Sequence, residues 1–353
     1  MSRAVELNIR RVTRSATLLV GALADAIKQG CFVARYPARG LLHAEPALTP
    51  KHLAKAIEHG ARFLTRQQHA DGSLRGFCLY PGASSTWLTA HVCFVVEGVP
   101  LLDGLAARAA RYLARHGAND GGWGYNRRVA VDCDSTAQAL MALQRFALPF
   151  PDFLLDQLAA AQAAGGGYPT YAPHRADTPR DGWQAVHSEV SLMVWECLRR
   201  AGGFDTRVAR CAAWLATVGE GGVLPAYWWS DNAYALWLQA RTGTLSAAAR
   251  PAVEALLASG LGCPQLAMVL SAAMTFAATG VDCAHAARRL IATQLADGSW
   301  PCAPCLRVTS PGTHIAASQA AGKIVADRRR VFATAHAVAA LQSYSTRGAE
   351  RGV

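Results

Sequence analysis

Residues 131–143 read V-D-C-D-S-T-A-Q-A-L-M-A-L. Behind the two carboxylates, the run 135–143 has the composition of a helix but almost no polar face, and a helix that is apolar all round has to be enclosed by others. Runs of this kind recur at 86–96, 188–198, 232–239, 265–278 and 331–342. Amphipathic segments with charges along one face lie at 53–68, 105–116, 153–162, 206–218, 247–259 and 284–295. Strand-like alternation is nearly absent. Six amphipathic helices alternating strictly with six apolar ones describe an outer ring around an inner ring. The predicted fold is therefore all-α, a single (α/α)6 barrel over 51–345. Residues 1–50 are expected to form a helical extension and 346–353 a disordered tail.

A weak internal period supports the two rings. Outer helices end in related phrases: Q-Q-H-A-D-G-S-L from Gln67, H-G-A-N-D-G-G-W from His116, A-Q-A-A-G-G-G-Y from Ala161 and Q-L-A-D-G-S-W from Gln294. Glycine at such a place ends a helix at positive φ, and the residue after it packs back on the next turn. Inner-to-outer connections are short, whereas most outer-to-inner ones are long, as at 71–85, 118–133, 165–186, 219–230 and 297–330. Long irregular loops in compact domains carry function. These gather where the inner helices have their N-termini, the end that favours anions.

Composition narrows the function classes. Of 353 residues 52% are hydrophobic and 17% charged, enough for a very large core, yet no run of eighteen uncharged apolar residues could span a membrane. The N-terminus lacks a clean signal-peptide pattern, so a cytoplasmic protein is expected. The helix-like piece around Val5 to Lys28 is a candidate clasp on the barrel or a contact to a membrane surface. The net charge of +11 is scattered, outside any nucleic-acid motif, and nucleic acid is excluded as partner. The ten cysteines sit mostly singly in apolar helices, as free thiols do in a reducing compartment. Cys302-Ala-Pro-Cys305 has no second pair at zinc spacing and reads as a loop of free thiols.

Asp134 is placed at the N-cap of the second inner helix, where its side chain would satisfy free N–H groups, as would Asp231 further on. Asp132 changes that reading. Two carboxylates this close repel when both are ionised, so one group holds a proton near neutral pH. The pair can be an acid.

With the flanking G-G-W and the Q-x-x-D-G-S-W phrases, D-C-D-S-T-A resembles the motif of the class II, squalene–hopene cyclase-like terpene cyclases, and more distantly the chain is similar to the protein prenyltransferase β subunits. The cyclase motif is Asp-x-Asp-Asp-Thr-Ala, whose middle aspartate protonates an alkene or epoxide. The resemblance assigns that role to Asp134, with Asp132 as its acidic neighbour and Thr136-Ala137 matching the tail. Ser135 stands where the family has its third aspartate. The implied activity is proton-initiated cyclisation of an isoprenoid or related polyene.

A carbocation needs a dry cavity and π faces. Trp123, Tyr125, Trp183, Tyr227, Trp228 and Trp229 are the candidate lining at the mouth, and the inner helices add Trp87, Tyr234 and Trp237. Arg127 and Arg128 beside the acid loop are candidates for an anionic head group. His91 and His336 read as satisfied buried histidines. His187, opening the third inner helix, is a candidate third catalytic residue through a hydrogen bond to Asp134. Two alternatives stand beside the cyclase: a zinc-dependent prenyl or alkyl transferase, suggested by Cys133, its neighbouring aspartate and His336, and a degenerate barrel that binds a hydrophobic ligand. The transferases use Asp-x-Cys, and D-C here makes the two adjacent. The aspartate-rich magnesium motif D-D-x-x-D is absent, so neither cofactor nor metal is expected.

Overall fold

A computed structural model of the chain describes residues 48–117, 121–172, 182–313 and 322–350. The predicted piece around Val5 to Lys28 and nearly all of the 1–50 extension lie outside these. Two compact units divide the chain. Glu45–Cys78 with Ala83–Val353 hold the twelve α-helices found among the described residues, and Leu79–Gly82 belong to the other unit.

The outer helices are α1 (Pro50–Gln67), α3 (Asp103–Arg115), α5 (Phe153–Ala160), α7 (Asp205–Val218), α9 (Arg250–Leu257) and α11 (Cys283–Thr293). The inner helices are α2 (Thr86–Val95), α4 (Cys133–Arg145), α6 (Ser188–Ala201), α8 (Ala233–Thr242), α10 (Cys263–Ala273) and α12 (Val331–Glu350). Each inner helix packs on the next, and α12 packs on α2, which closes the ring. All ten residues of α2 are buried, as a helix with neighbours on every side must be. No described helix is long and apolar enough to cross a membrane.

The recurring phrase proves to be a joint between neighbouring outer helices. Gln68 Nε2 donates to the Gly72 and Leu105 carbonyls, Gln162 Nε2 to Gly166 and Arg207, and Gln294 Nε2 to Gly298 and Ala56, all at 2.8–2.9 Å. The last of these ties α11 back to α1. The motif glycines Gly72, Gly166 and Gly298 have φ of +94°, +108° and +89°, and a Cβ on any of them would run into a carbonyl of the adjoining outer helix. Asp71 and Asp297 each take the N–H and hydroxyl of the serine two residues on. The residue after the joint is pinned to the inner ring: Leu74, Trp123 and Trp300 donate their N–H groups to Thr89, Thr136 and Thr334 Oγ1.

Two features differ from the sequence reading. Short strands do occur, as hairpins inside the long loops: β1 (Gly76–Leu79) with β2 (Gly82–Ser84), and β3 (Pro304–Val308) with β4 (Lys323–Ala326). Strand β3 also pairs with the Trp228–Ser230 segment, through Arg307 N–H to the Trp228 carbonyl and Ser230 N–H to the Cys305 carbonyl. The last helix continues to Glu350, past the expected boundary at 345, because Thr346 bonds back to Gln342 and Arg347 reaches the Met274 carbonyl. All nine described cysteines, Cys302 and Cys305 included, are free thiols.

If the glutamine joint closes the ring, Gln294→Ala leaves the Ala56 and Gly298 carbonyls without their donor. Chemical denaturation is expected to show a loss of ~1–3 kcal/mol; an unchanged midpoint would remove the joint from the account.

Candidate active site

The N-cap of α4 is Asp132, which corrects the placement of Asp134 there. Asp132 has extended backbone (φ −130°, ψ 160°); its Oδ1 accepts the Ser135 N–H at 2.6 Å and its Oδ2 the Ser135 hydroxyl at 2.8 Å. The serine that departs from the family pattern thus doubles the cap. Asp134, the second residue of the helix, is released from capping and turns inward. Trp87 Nε1 donates to its Oδ2 at 2.6 Å and Gln138 Nε2 to the same oxygen at 3.0 Å. Oδ1 has no hydrogen-bond partner among the described residues. Asp132 is buried, whereas Asp134 keeps accessible surface.

Burial raises both carboxyls. Asp132 goes up to about 8, with the Asp134 charge adding to burial, and Asp134 to about 6, with its two donors pulling the other way. The pair therefore holds a proton at neutral pH. At neutral pH Asp132 is its main holder, and when Asp134 takes up a proton, below about pH 6, it belongs on Oδ1, because two N–H groups already occupy Oδ2.

Gln138 is held in turn, its Oε1 lying 2.9 Å from His91 Nδ1, while His91 Nε2 lies 3.0 Å from His336 Nε2. All three side chains are buried. His336 is not fully satisfied, contrary to expectation, since its Nδ1 has no partner among the described residues.

His187 does not reach Asp134, and the expected hydrogen bond between them is corrected. Its Nε2 donates to the Gly182 carbonyl at 3.1 Å, and its Nδ1 takes the Thr170 hydroxyl at 2.8 Å, that oxygen receiving Trp228 Nε1–H at 2.8 Å. Burial holds the imidazole neutral, its pKa pushed down to about 3. The Thr170 carbonyl accepts the Cys133 N–H at 2.8 Å, so His187 supports the start of α4 at one remove.

The aromatic candidates separate. Trp123 is a wedge and not a lining residue: it is buried, and its Nε1 donates to the Leu113 carbonyl at 3.1 Å, as Trp300 Nε1 does to Leu290. The Tyr125 carbonyl accepts the Ser85 and Trp87 N–H groups and its hydroxyl donates to the Phe77 carbonyl, so this residue fastens the start of α2. Trp229 lies against Tyr234 at 4.0 Å, Phe332 at 5.3 Å and Trp87 at 6.1 Å, a run of rings leading to Asp134. There the rings pack on one another, so side chains occupy space expected to be open. Tyr227 stacks on His187 at 3.8 Å, and Trp228 and Trp183 meet beside it at 5.6 Å. Arg127 and Arg128 are exposed.

Glu189, the second residue of α6, escaped the sequence reading. Its Oε1 accepts the Tyr227 and Trp228 N–H groups, both at 2.8 Å, and burial pushes its pKa up to about 7. A lone glutamate in an apolar run, two residues after His187, was its only signal. Among the described residues no three His, Cys, Asp or Glu side chains form a metal-holding group; His336 engages His91 and not Cys133.

No protein-family model matches the chain. Over 131 residues it is 34% identical to drimenyl diphosphate synthase of Streptantibioticus cattleyicolor, a stretch that covers 35% of this chain and 24% of that protein. The chain thus matches about a quarter of that relative's length. Among solved structures, the type II terpene cyclase MstE from Scytonema superposes with a TM-score of 0.70 at 21% identity, covering 85% of this chain and 99% of that one. The fold is that of a type II terpene cyclase. A protein from Actinoplanes is equally similar, with a TM-score of 0.70 at 23% identity over 82% of this chain and 99% of that one.

An aspartate whose folded pKa is raised binds protons more tightly in the native state, so its contribution to stability is present at low pH and is lost as pH rises from about 4 toward about 8. Asparagine caps about as well as aspartate and cannot ionise. Asp132→Asn is therefore expected to gain stability relative to wild type between pH 5 and pH 9 in urea titrations; a difference that is flat with pH would mean that Asp132 is not strained by its charge.

Proposed function

We propose that this protein is a class II terpene cyclase that protonates a terminal alkene with Asp134 and lets the chain of double bonds close on the resulting cation. The observation that carries this reading is the asymmetry of Asp134: two donors on Oδ2, none on Oδ1 among the described residues, in a carboxyl whose pKa burial raises to about 6. A C–H bond forms as the Oδ1–H bond breaks, leaving a tertiary cation. The carboxylate left behind is stabilised at Oδ2 by Trp87 and Gln138. Trp87, Trp229, Tyr234 and Phe332 present π faces to the moving charge. Loss of a proton ends the sequence, so the net reaction is an isomerisation.

The fold likeness supports the substrate class. MstE has been solved with geranylgeranyl dihydroxybenzoate as substrate and with merosterolic acid A as product. The partial relative is named for a diphosphate product. A prenyl chain bearing an anionic head group suits both, and the exposed Arg127 and Arg128 are the residues we assign to that head group. The zinc-transferase alternative has no support in the geometry. A cytoplasmic protein that meets its prenyl substrate at a membrane surface fits the charge of +11, and cell fractionation tests this.

The test is turnover of a panel: farnesyl and geranylgeranyl diphosphate, geranylgeranyl dihydroxybenzoate and the parent prenols. Asp134→Asn preserves shape and lacks the proton, so turnover is expected to fall by a factor on the order of a thousand or more while folding survives. A variant that cyclises as well as wild type would sink the proposal, and prenols turned over as readily as their anionic counterparts would take Arg127 and Arg128 out of recognition.

A further inference from the structure

His336, His91 and Gln138 form a buried line of hydrogen bonds that runs across three inner helices and ends on Asp134 Oδ2. Each link can in principle run either way, but the links are not independent. A neutral imidazole has one donor and one acceptor, and a primary amide has its oxygen on one side and its nitrogen on the other. Reversing one link therefore reverses all of them, or sets two donors or two lone pairs face to face.

In the first direction His336 Nε2–H donates to His91 Nε2, His91 Nδ1–H to Gln138 Oε1, and Gln138 Nε2–H to Asp134 Oδ2. In the second, the amide is turned over and offers its oxygen to Asp134, which must then carry its proton on Oδ2 to answer it. That proton would point at Gln138 and away from the unpartnered Oδ1.

Both ends of the line select the first direction. At the acid, the Trp87 indole N–H already donates to Oδ2 at 2.6 Å, which favours that oxygen as pure acceptor. At the far end, His336 Nδ1 is buried without a partner among the described residues. The first direction leaves a bare lone pair there, whereas the second would bury an N–H with no acceptor, and orphaned buried N–H groups are the rarer and costlier fault. Burial keeps both imidazoles neutral. The His91 ring lies against Trp87 at 4.9 Å and Phe332 at 5.2 Å, both near parallel to it, which keeps it from turning.

We propose that His336, His91 and Gln138 are positioning residues whose hydrogen bonds, run in a single direction, keep the proton of Asp134 on Oδ1, the oxygen open to substrate. This rests on Asp134 being the acid. It adds that a side chain two residues removed from the acid decides where the proton sits.

The test needs no substrate. In infrared difference spectra of the full chain recorded below pH 6, where Asp134 is protonated, the carbonyl stretch of Asp134 is the band lost in Asp134→Asn. With the proton on Oδ1 the carbonyl oxygen is Oδ2, which accepts two hydrogen bonds, so the band lies low. His336→Leu and His336→Phe remove the donor that starts the line, and the band is expected to move to higher wavenumber in whichever of them folds. His336→Gln, whose amide N–H can replace the imidazole donor, is expected to restore the wild-type position. An unmoved band in the leucine and phenylalanine variants, or an equal shift in the glutamine variant, overturns the role of the line while leaving the acid in place. A wild-type spectrum with no band that Asp134→Asn removes overturns the acid itself.

Discussion

The site depends on which of two neighbouring carboxylates satisfies the start of α4. An inner helix begins with free N–H groups that need an acceptor. Asp132 supplies it, with both oxygens engaged by Ser135. Asp134 is thereby released to face the barrel interior, where Trp87 from α2 and Gln138 from its own helix meet one oxygen and leave the other. Were Asp134 the cap, its lone pairs would be turned to the backbone and no carboxyl of the pair would face the interior.

That division of roles is useful only if the start of α4 is held in place, and the barrel does this from several sides. The Thr170 carbonyl takes the Cys133 N–H, while Thr136 Oγ1 accepts the Trp123 N–H and donates to the Trp123 carbonyl. Trp123 is in turn anchored on α3 through Leu113. The glutamine joints then fix the outer helices to one another around the ring. Helix packing and loop chemistry thus converge on one carboxyl group, and the aromatic faces of Trp87, Trp229 and Phe332 lie beside it because α2 and α12 are neighbours in the closed ring.

Much of this was legible in the residues. The all-round apolar runs and the amphipathic ones differ so plainly that twelve helices in two alternating rings follow from hydropathy, and the expected bounds of α2, α6 and α7 fall within three residues of those observed. The carboxyl pair was legible because two aspartates two residues apart at the start of an apolar helix must influence each other's ionisation. Less legible was which of them caps: side chains two positions apart compete for the same N–H groups, and only the backbone dihedrals at Asp132 decide between them. His187 was misread because a histidine opening the adjacent helix can point several ways, and Thr170 and Gly182, which capture it from the preceding loop, carry no motif. Trp123 looked like lining because aromatics in loops serve both purposes; its indole N–H bond to an outer helix is a long-range fact. Gln138 and Glu189 carry no motif at all.

Proton-initiated cyclisation leaves a mark that no other reading of this barrel shares. Turnover of geranylgeranyl dihydroxybenzoate or a prenyl diphosphate in deuterium oxide should place one solvent deuterium on the ring carbon that was the CH of the terminal alkene, since protonation there gives the tertiary cation. A cyclic product free of solvent deuterium at that carbon would contradict the account.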